Sequence, residues 1–565
     1  MSSHISSKAM LNPDLLWKIF DTIAGEEVTV ADGLGLLPTT RVSYIISCSH
    51  VCRDWRTILL SSPSMWGKLL VFEEHIGLSI IKEIFSRSQS APLWVTSNLS
   101  RSTNSPQEED RYKILYDILD TSWDRLERLL WKTQTGTEPI EMAVWHILQR
   151  PAPSLKEFSM FNHHNHTTHG RPQLSRGSLF SNHAPLLRNF ATNCGFITML
   201  PPGRSWYREL RSLTLCNARV PTTVRAAVEV LKSTPRLEQL NLDMKANRYM
   251  SSDDVDAHLE AVSNSTLVSL NHLRSLCLRI DQLDYSFFIK NVIFPYAGLS
   301  FQCDISMVQD DDAMTGTSLG KEINEQFQRA IMSHHCFHPG CGPLRVWIAI
   351  FPTYMWQFWC VNGNAPDHPS FEISVFGSEK AMYEVFDLPF LGNVSFLEIF
   401  LQQSQRSNRG GLVEYPRLIP FLQRFSNIKA LKVDHCLNLP GVLKRYYCQE
   451  LTNDTLADAS LEVPKQQFPF PLLRSLSTSA FSEPGGPSHD DLSCVIRYLE
   501  TLDVKISDIL MEGKPFPTKY TQLKRFMDEF KDIKLSYRFK EEGEYIPYEW
   551  DEAAASSTLS PCSSV

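Results

Sequence analysis

The chain has 565 residues, a formal net charge of −8, 43% apolar residues and 21% charged residues. That length exceeds what one hydrophobic core needs and predicts about two to four domains, or one long repeat array. The thinly spread acidic charge excludes the basic footprint of a nucleic-acid-binding protein, and no Lys/Arg block adjoins an apolar helix as a membrane-surface segment requires.

The 13 cysteines are scattered and odd in number, unlike a secreted disulfide framework. Met1 to Met10 form a short polar tail without the apolar core of a signal peptide. The longest apolar stretch, Val346 to Val361, is interrupted by Pro352 and Gln357 and is too short for a comfortable membrane span. These features predict a reduced, soluble protein of the cytoplasm or nucleus, with no nucleic-acid or membrane partner.

Residues 11–70 read as a small helical domain. Pro13 suits a first helical turn, and Asp14 places negative charge near the positive end of the helix dipole. Leu15, Leu16, Ile19, Phe20 and Ile23 then recur at helical spacing. After a segment from Gly25 to Pro38, Thr39 or Thr40 can cap a second helix with Val42, Ile45, Ile46 and Ser49 on one face. A third short helix carries Trp55, Ile58 and Leu59, stopped by Ser61-Ser62-Pro63, and Met65 and Trp66 follow as a bulky plug. So small a piece with so much apolar surface suits docking to a partner.

The blocks Leu11-x-Pro13-x-Leu15-Leu16-x-x-Ile19-Phe20, Val51-Cys52-Arg53-x-Trp55-Arg56 and Pro63-x-x-Trp66 resemble, in order, the three parts of the F-box motif. The run from Ser86 to Leu93 is similar to the layout of the large fungal F-box families. Asn12 and Asp14 depart from the motif's usual Leu and Glu, and the link between the first two helices is longer than usual. The resemblance implies a three-helix module that docks on the Skp adaptor and, through it, on a cullin ubiquitin ligase. Carried over by position, Pro13, Leu15, Leu16, Ile19, Phe20, Val51, Cys52 and Trp55 are the adaptor-binding or F-box core residues. Two roles remain open: a substrate receptor inside a cullin-type ligase, or an F-box scaffold that works outside one. Neither role requires a catalytic residue or a cofactor in this chain.

Residues 71–120 read as a helical linker and residues 121–545 as a degenerate repeat. The pattern apolar, two variable, apolar, one variable, apolar occurs at Leu126-x-x-Leu129-x-Trp131, Leu155-x-x-Phe158-x-Met160, Leu210-x-x-Leu213-x-Leu215, Leu237-x-x-Leu240-x-Leu242 and Leu273-x-x-Leu276-x-Leu278. It returns at Val394-x-x-Leu397-x-Ile399, Ile428-x-x-Leu431-x-Val433 and Leu499-x-x-Leu502-x-Val504, with weaker copies from Leu187 and Leu473. Alternation inside each copy predicts a short half-buried strand. Between copies lie helical faces such as Val224, Ala227, Val228 and Leu231, and Leu418, Leu422 and Phe425. Strands joined by helical crossovers predict parallel pairing.

The pattern resembles a leucine-rich repeat, in which an Asn or Cys follows the third apolar position by three. Cys436 fits, while Ala218, Lys245 and Asp281 do not, and residues 285–390 contain no clean copy. The expected fold class is therefore α+β to α/β: a small three-helix F-box followed by an irregular leucine-rich-repeat-like α/β solenoid. The resemblance assigns the repeat surface to an unknown protein substrate.

Other local patterns favour loops over chemistry. His163-His164-Asn165-His166-Thr167-Thr168-His169 is a polar His tract. His334-His335-Cys336-Phe337-His338-Pro339-Gly340-Cys341 lacks a second ligand pair nearby, so no metal site is assigned. Gly316 to Glu322 has the wrong spacing for a phosphate loop, and Asp310-Asp311-Asp312 reads as solvated loop. Ser488, His489 and Asp490 are adjacent, whereas a catalytic triad is assembled in space. Trp347, Phe351, Tyr354, Trp356, Phe358 and Trp359 suit core strands. Residues 546–565 are a tail, small and polar from Ala553 onward and expected to be disordered.

Overall fold

The computed structural model describes residues 12–25, 38–99, 106–133, 144, 146–162, 179–192, 204–216, 224–244, 267–295, 299–306, 344–351, 355–362, 371–376, 394–401, 422–434, 472–478, 496–497, 500, 504–512, 528–541 and 544–548. The chain divides into two compact units: Met1–Cys277 with Phe287–Pro295, and Leu278–Ser286 with Tyr296–Val565. It is a mixed α/β protein built largely on parallel strands. No described helix is long and apolar enough to cross a membrane.

The first unit opens with four helices: α1 (Pro13–Gly25), α2 (Pro38–Ser49), α3 (Arg53–Leu60) and α4 (Pro63–Gly67). Asn12 caps α1. Its side-chain oxygen accepts from the Asp14 N–H at 2.8 Å, and its carbonyl accepts from Leu16 N–H at 3.0 Å. The residue that departs from the motif thus has a local structural role. At the other end of α1, the buried Arg41 of α2 donates from Nη1 to the Ala24 carbonyl at 3.2 Å. Ser62 Oγ closes α3 by donating to the Ile58 carbonyl at 2.6 Å, and Pro63 starts α4. Leu16, Phe20, Ala24, Val42, Ile45, Leu59, Met65 and Trp66 are the buried apolar residues of this piece.

Strands β1 (Leu70–Phe72), β2 (Leu93–Leu99), β3 (Leu126–Thr133), β4 (Glu157–Asn162), β5 (Asn189–Thr192), β6 (Ser212–Cys216) and β7 (Gln239–Asp243) follow. Each pairs in parallel with the next. Helices α5 (Leu78–Ser88), α6 (Pro106–Ser122) and α7 (Val224–Leu231) lie between strands in the chain. Val224, Ala227, Val228 and Leu231 are all buried, as their spacing predicts. The short strands β8 (Val268–Ser269) and β10 (Val292–Ile293) form a separate parallel pair. Between them β9 (Ser275–Asp281) and α8 (Gln282–Asn291) run across the division between units.

Residues 71–120 are not wholly helical, which corrects the linker reading: the parallel sheet begins at Leu70. The repeat pattern misses β2 because Leu93, Val95, Ser97 and Leu99 alternate strictly inward, without the two-residue gap. Glycine at 67 lets α4 approach this strand, since a Cβ there would lie 2.2 Å from the Pro92 carbonyl oxygen.

The two-residue gap elsewhere has a physical cause. At the entrances of β5, β6 and β7 two successive N–H groups converge on the carbonyl of the residue just before the preceding strand. Arg188 and Asn189 donate to Lys156 O, Arg211 and Ser212 to Arg188 O, and Glu238 and Gln239 to Arg211 O. This bulge-like step inserts one residue before alternation starts. The apolar positions on either side, including Leu210, Leu213 and Leu215 and then Leu237, Leu240 and Leu242, are fully buried. Phe158, Phe190, Phe180 and Trp206 extend the core as an aromatic stack with centroid spacings of 5.3 to 5.9 Å.

In the second unit, β11 (Ser300–Ser306) pairs in parallel with β14 (Phe371–Phe376). Strands β12 (Leu344–Phe351), β13 (Met355–Asn362) and β14 form an antiparallel meander, and β12 then pairs in parallel with β15 (Phe396–Leu401). This meander lies within residues 285–390, the stretch without a clean copy of the repeat pattern. The aromatic run lies on it, with Trp347 in register with Trp359 and Ile350 with Trp356; Tyr354 lies outside the described residues. From β15 the parallel succession resumes through β16 (Ala430–Asp434), β17 (Ser475–Thr478), β18 (Asp508–Glu512) and β19 (Lys534–Glu541). An antiparallel β20 (Glu544–Tyr548) completes it, so strand extends slightly into the predicted tail. Ser507 and Asp508 make the double donation to Arg474 O at the entrance of β18, and Leu499 and Leu502 of the last sequence copy lie outside the described residues.

Candidate docking surface

Helix α1 separates its apolar residues into two groups. Leu16, Phe20 and Ala24 point into the helical piece, and Phe20 meets Trp55 edge-on with centroids 5.2 Å apart. Leu15 and Ile19, one turn apart, remain 48% and 43% exposed. Val51, in the turn between α2 and α3, is 62% exposed, and Leu60 at the end of α3 is also exposed. Of the eight residues singled out from sequence, Leu16 and Phe20 are core and Trp55 is half-buried. Pro13, Leu15, Ile19, Val51 and Cys52 lie at the surface.

The far side of the piece is tied to the strands. Lys68 Nζ pairs with Asp21 Oδ1 of α1 at 2.6 Å and stands 5.1 Å from the centroid of the Trp94 ring. The Arg128 guanidinium lies 5.4 Å from the same ring and makes two contacts with Glu157, at 2.8 and 3.1 Å. Trp94 Nε1 donates to Glu127 Oε2 at 3.3 Å. An ideal Cβ on Gly25 would lie 3.7 Å from the same indole, so the last turn of α1 sits against β2. Sequence reading missed this chain because its members are far apart in sequence and share no periodicity.

A second polar cluster lies where β1 ends. Glu73 is buried, and that burial pushes its carboxyl above the ordinary range, while His75, Lys132 and Arg41 pull it back down. His75 Nε2 is 3.6 Å from Glu73 Oε2, and buried Arg111 of α6 donates to the Glu73 carbonyl. Burial also raises the Cys48 thiol.

The tracts at 163–169, 310–322, 334–341 and 485–491 lie outside the described residues. Among the described residues, no group of three or more His, Cys, Asp or Glu side chains is placed to hold a metal ion. No protein-family model matches the chain, and the curated proteins contain no significant match to it.

Proposed function

We propose that residues 11–70 act as an F-box that docks on a Skp adaptor. The strand array that follows would hold a protein substrate for a cullin-type ubiquitin ligase. The fold reading that goes with it is a leucine-rich-repeat-like solenoid, and the chain itself carries out no chemical step. What supports the reading is the split on α1, where Leu16 and Phe20 close the small core while Leu15 and Ile19 face outward, together with the exposed Val51 in the α2–α3 turn. Exposed Leu, Ile and Val on a short helical piece cost free energy in water and favour a partner that covers them. The tie from Asp21 to Trp94 gives this face a fixed seat on the first strands.

The test is co-purification of the Skp adaptor with the full chain and with the double variant Leu15→Ala, Val51→Ala. Both positions are exposed, so the variant keeps its fold. Loss of adaptor from the variant alone supports the reading. Equal recovery with both proteins, or none with the unmodified chain, refutes it. Recovery of cullin in the same eluate distinguishes a ligase subunit from an F-box scaffold.

A further inference from the structure

The entrances of β5, β6, β7 and β9 lie in a row along one edge of the first unit. The residue after the buried leucine at each entrance is, in turn, Arg188, Arg211, Glu238 and Arg274; the residue before it adds Glu209 at β6 and Arg236 at β7. Backbone hydrogen bonds fix the succession. Arg211 N–H donates to Arg188 O at 2.8 Å, Glu238 N–H to Arg211 O at 2.8 Å, and Arg274 N–H to Glu238 O at 2.7 Å. These side chains therefore follow one another at the spacing of paired strands, about 4.8 Å. The segments that enter these four strands are described throughout, as residues 179–192, 204–216, 224–244 and 267–281.

Positive charge exceeds negative along this edge. Glu209 is shared by two guanidinium groups, Arg236 Nη1 at 2.8 Å and Arg188 Nη2 at 3.6 Å. Arg211 Nη1 stands 3.5 Å from Glu238 Oε1. Arg274 is exposed, and among the described residues no carboxylate pairs with it; the same holds for Arg208 on the turn into β6. The cations also stand further out than the acids. The Arg211 and Arg236 side chains are 62% and 65% exposed, against 33% for Glu238 and 35% for Glu209. Neighbouring lysines are matched one to one, Lys156 with Glu127 and Lys232 with Glu229, each at 2.6 Å. The surplus thus belongs to the arginines, and an approaching ligand meets it first.

We infer that the entrance edge of β5, β6, β7 and β9 binds a short, extended, Asp/Glu-rich segment of a partner protein. The row spans about 14 Å, the length of about four extended residues. A lone phosphate is best held by cations converging on one point, whereas this row presents single guanidinium groups in succession. Single-stranded nucleic acid needs exposed rings to stack on, and Trp206 and Tyr207 on the turn into β6 are buried. The inference goes beyond the receptor reading by giving the strand array a place and a charge for a protein ligand, and it does not depend on adaptor docking.

The test is fluorescence anisotropy of a labelled hexaglutamate peptide against the full chain. Binding should fall as salt is raised, and Arg211→Gln combined with Arg274→Gln should weaken it at least about fivefold. Both arginines are exposed, so the double variant keeps its fold, and thermal unfolding checks this. A control, Lys82→Gln combined with Lys113→Gln, removes the same charge from exposed positions on α5 and α6 and should leave binding within about twofold. No binding of hexaglutamate, binding indifferent to salt, or equal weakening by the two double variants overturns the edge as a site. Tighter binding of a peptide carrying one phosphoserine, or of oligothymidylate, overturns the acidic-segment assignment.

Discussion

Lys68 holds two partners at once: the Asp21 carboxylate at 2.6 Å and the face of Trp94, 5.1 Å from its Nζ. The first partner belongs to α1 and the second to β2, so one ammonium group joins the helical piece to the strands. Trp94 also carries Arg128 5.4 Å from its ring centroid, which makes it the shared element of the chain. Trp94→Ala removes both cation–ring contacts and leaves Gly25 without its neighbour. Stability should fall by roughly 1–3 kcal/mol, less than for a fully buried Trp. Hydrogen exchange should rise in residues 13–25 more than in β6 and β7. Urea unfolding and peptide-level exchange measure both, and unchanged exchange in α1 would mean the chain does not anchor it.

Neighbouring residues of α1 should separate stability from docking. Leu16 is 5% exposed and Phe20 1%, whereas Leu15 and Ile19 are exposed. Leu16→Ala and Phe20→Ala should destabilise the protein by about 2–5 kcal/mol. Leu15→Ala and Ile19→Ala should stay within about 0.5 kcal/mol of the parent. Under the F-box reading, adaptor binding should show the reverse order among folded variants. Denaturant titrations combined with adaptor titration read the two scales independently.

Glu73 sets a pH dependence with a definite sign. Burial raises its folded-state pKa above the unfolded value, so the folded protein holds this proton more tightly. The stability linked to that proton is fully present below the ordinary carboxylate pKa and is lost as pH rises through the raised folded pKa. Glu73→Gln removes the ionisation. The variant should therefore be more stable than the parent at neutral pH, with the advantage shrinking as the pH is lowered. Thermal melts across an acid-to-neutral series test this. A variant less stable than the parent at neutral pH would show that His75, Lys132 and Arg41 outweigh desolvation.

The parts of the fold that can be read from sequence are those with local repetition. The L-x-x-L spacing at Leu210–Leu213 and Leu237–Leu240 marks strand entrances because the double N–H donation to one carbonyl recurs there in the backbone. β2 escapes because strict alternation replaces that step, and β12–β14 escape because an antiparallel meander has no such entrance. The residues of the three F-box-like blocks stand out in the sequence as a group. Their division into core and surface could not be read, because Leu15 and Leu16 are equivalent in composition and differ only in which side of α1 meets α2 and α3. Lys68 and Trp94 were invisible for another reason: a cation over a ring leaves no mark in periodicity.

Cysteine reactivity offers a last check that joins local structure to docking. Cys52, at the start of α3, is exposed; Cys48, one turn earlier at the end of α2, is half-buried; and Cys303 is fully buried. Alkylation needs both access and thiolate, and burial raises the Cys48 thiol pKa, lowering its thiolate fraction. With a soluble maleimide at neutral pH, Cys52 should react first, Cys48 more slowly, and Cys303 only on unfolding. Under the F-box reading, saturating Skp adaptor should slow labelling at Cys52, beside the exposed Val51, and leave Cys216 in β6 unchanged. Peptide mapping by mass spectrometry resolves the sites. Equal labelling of Cys52 with adaptor bound and absent would place the contact away from the α2–α3 turn, leaving Leu15 and Ile19 as the residues to probe next.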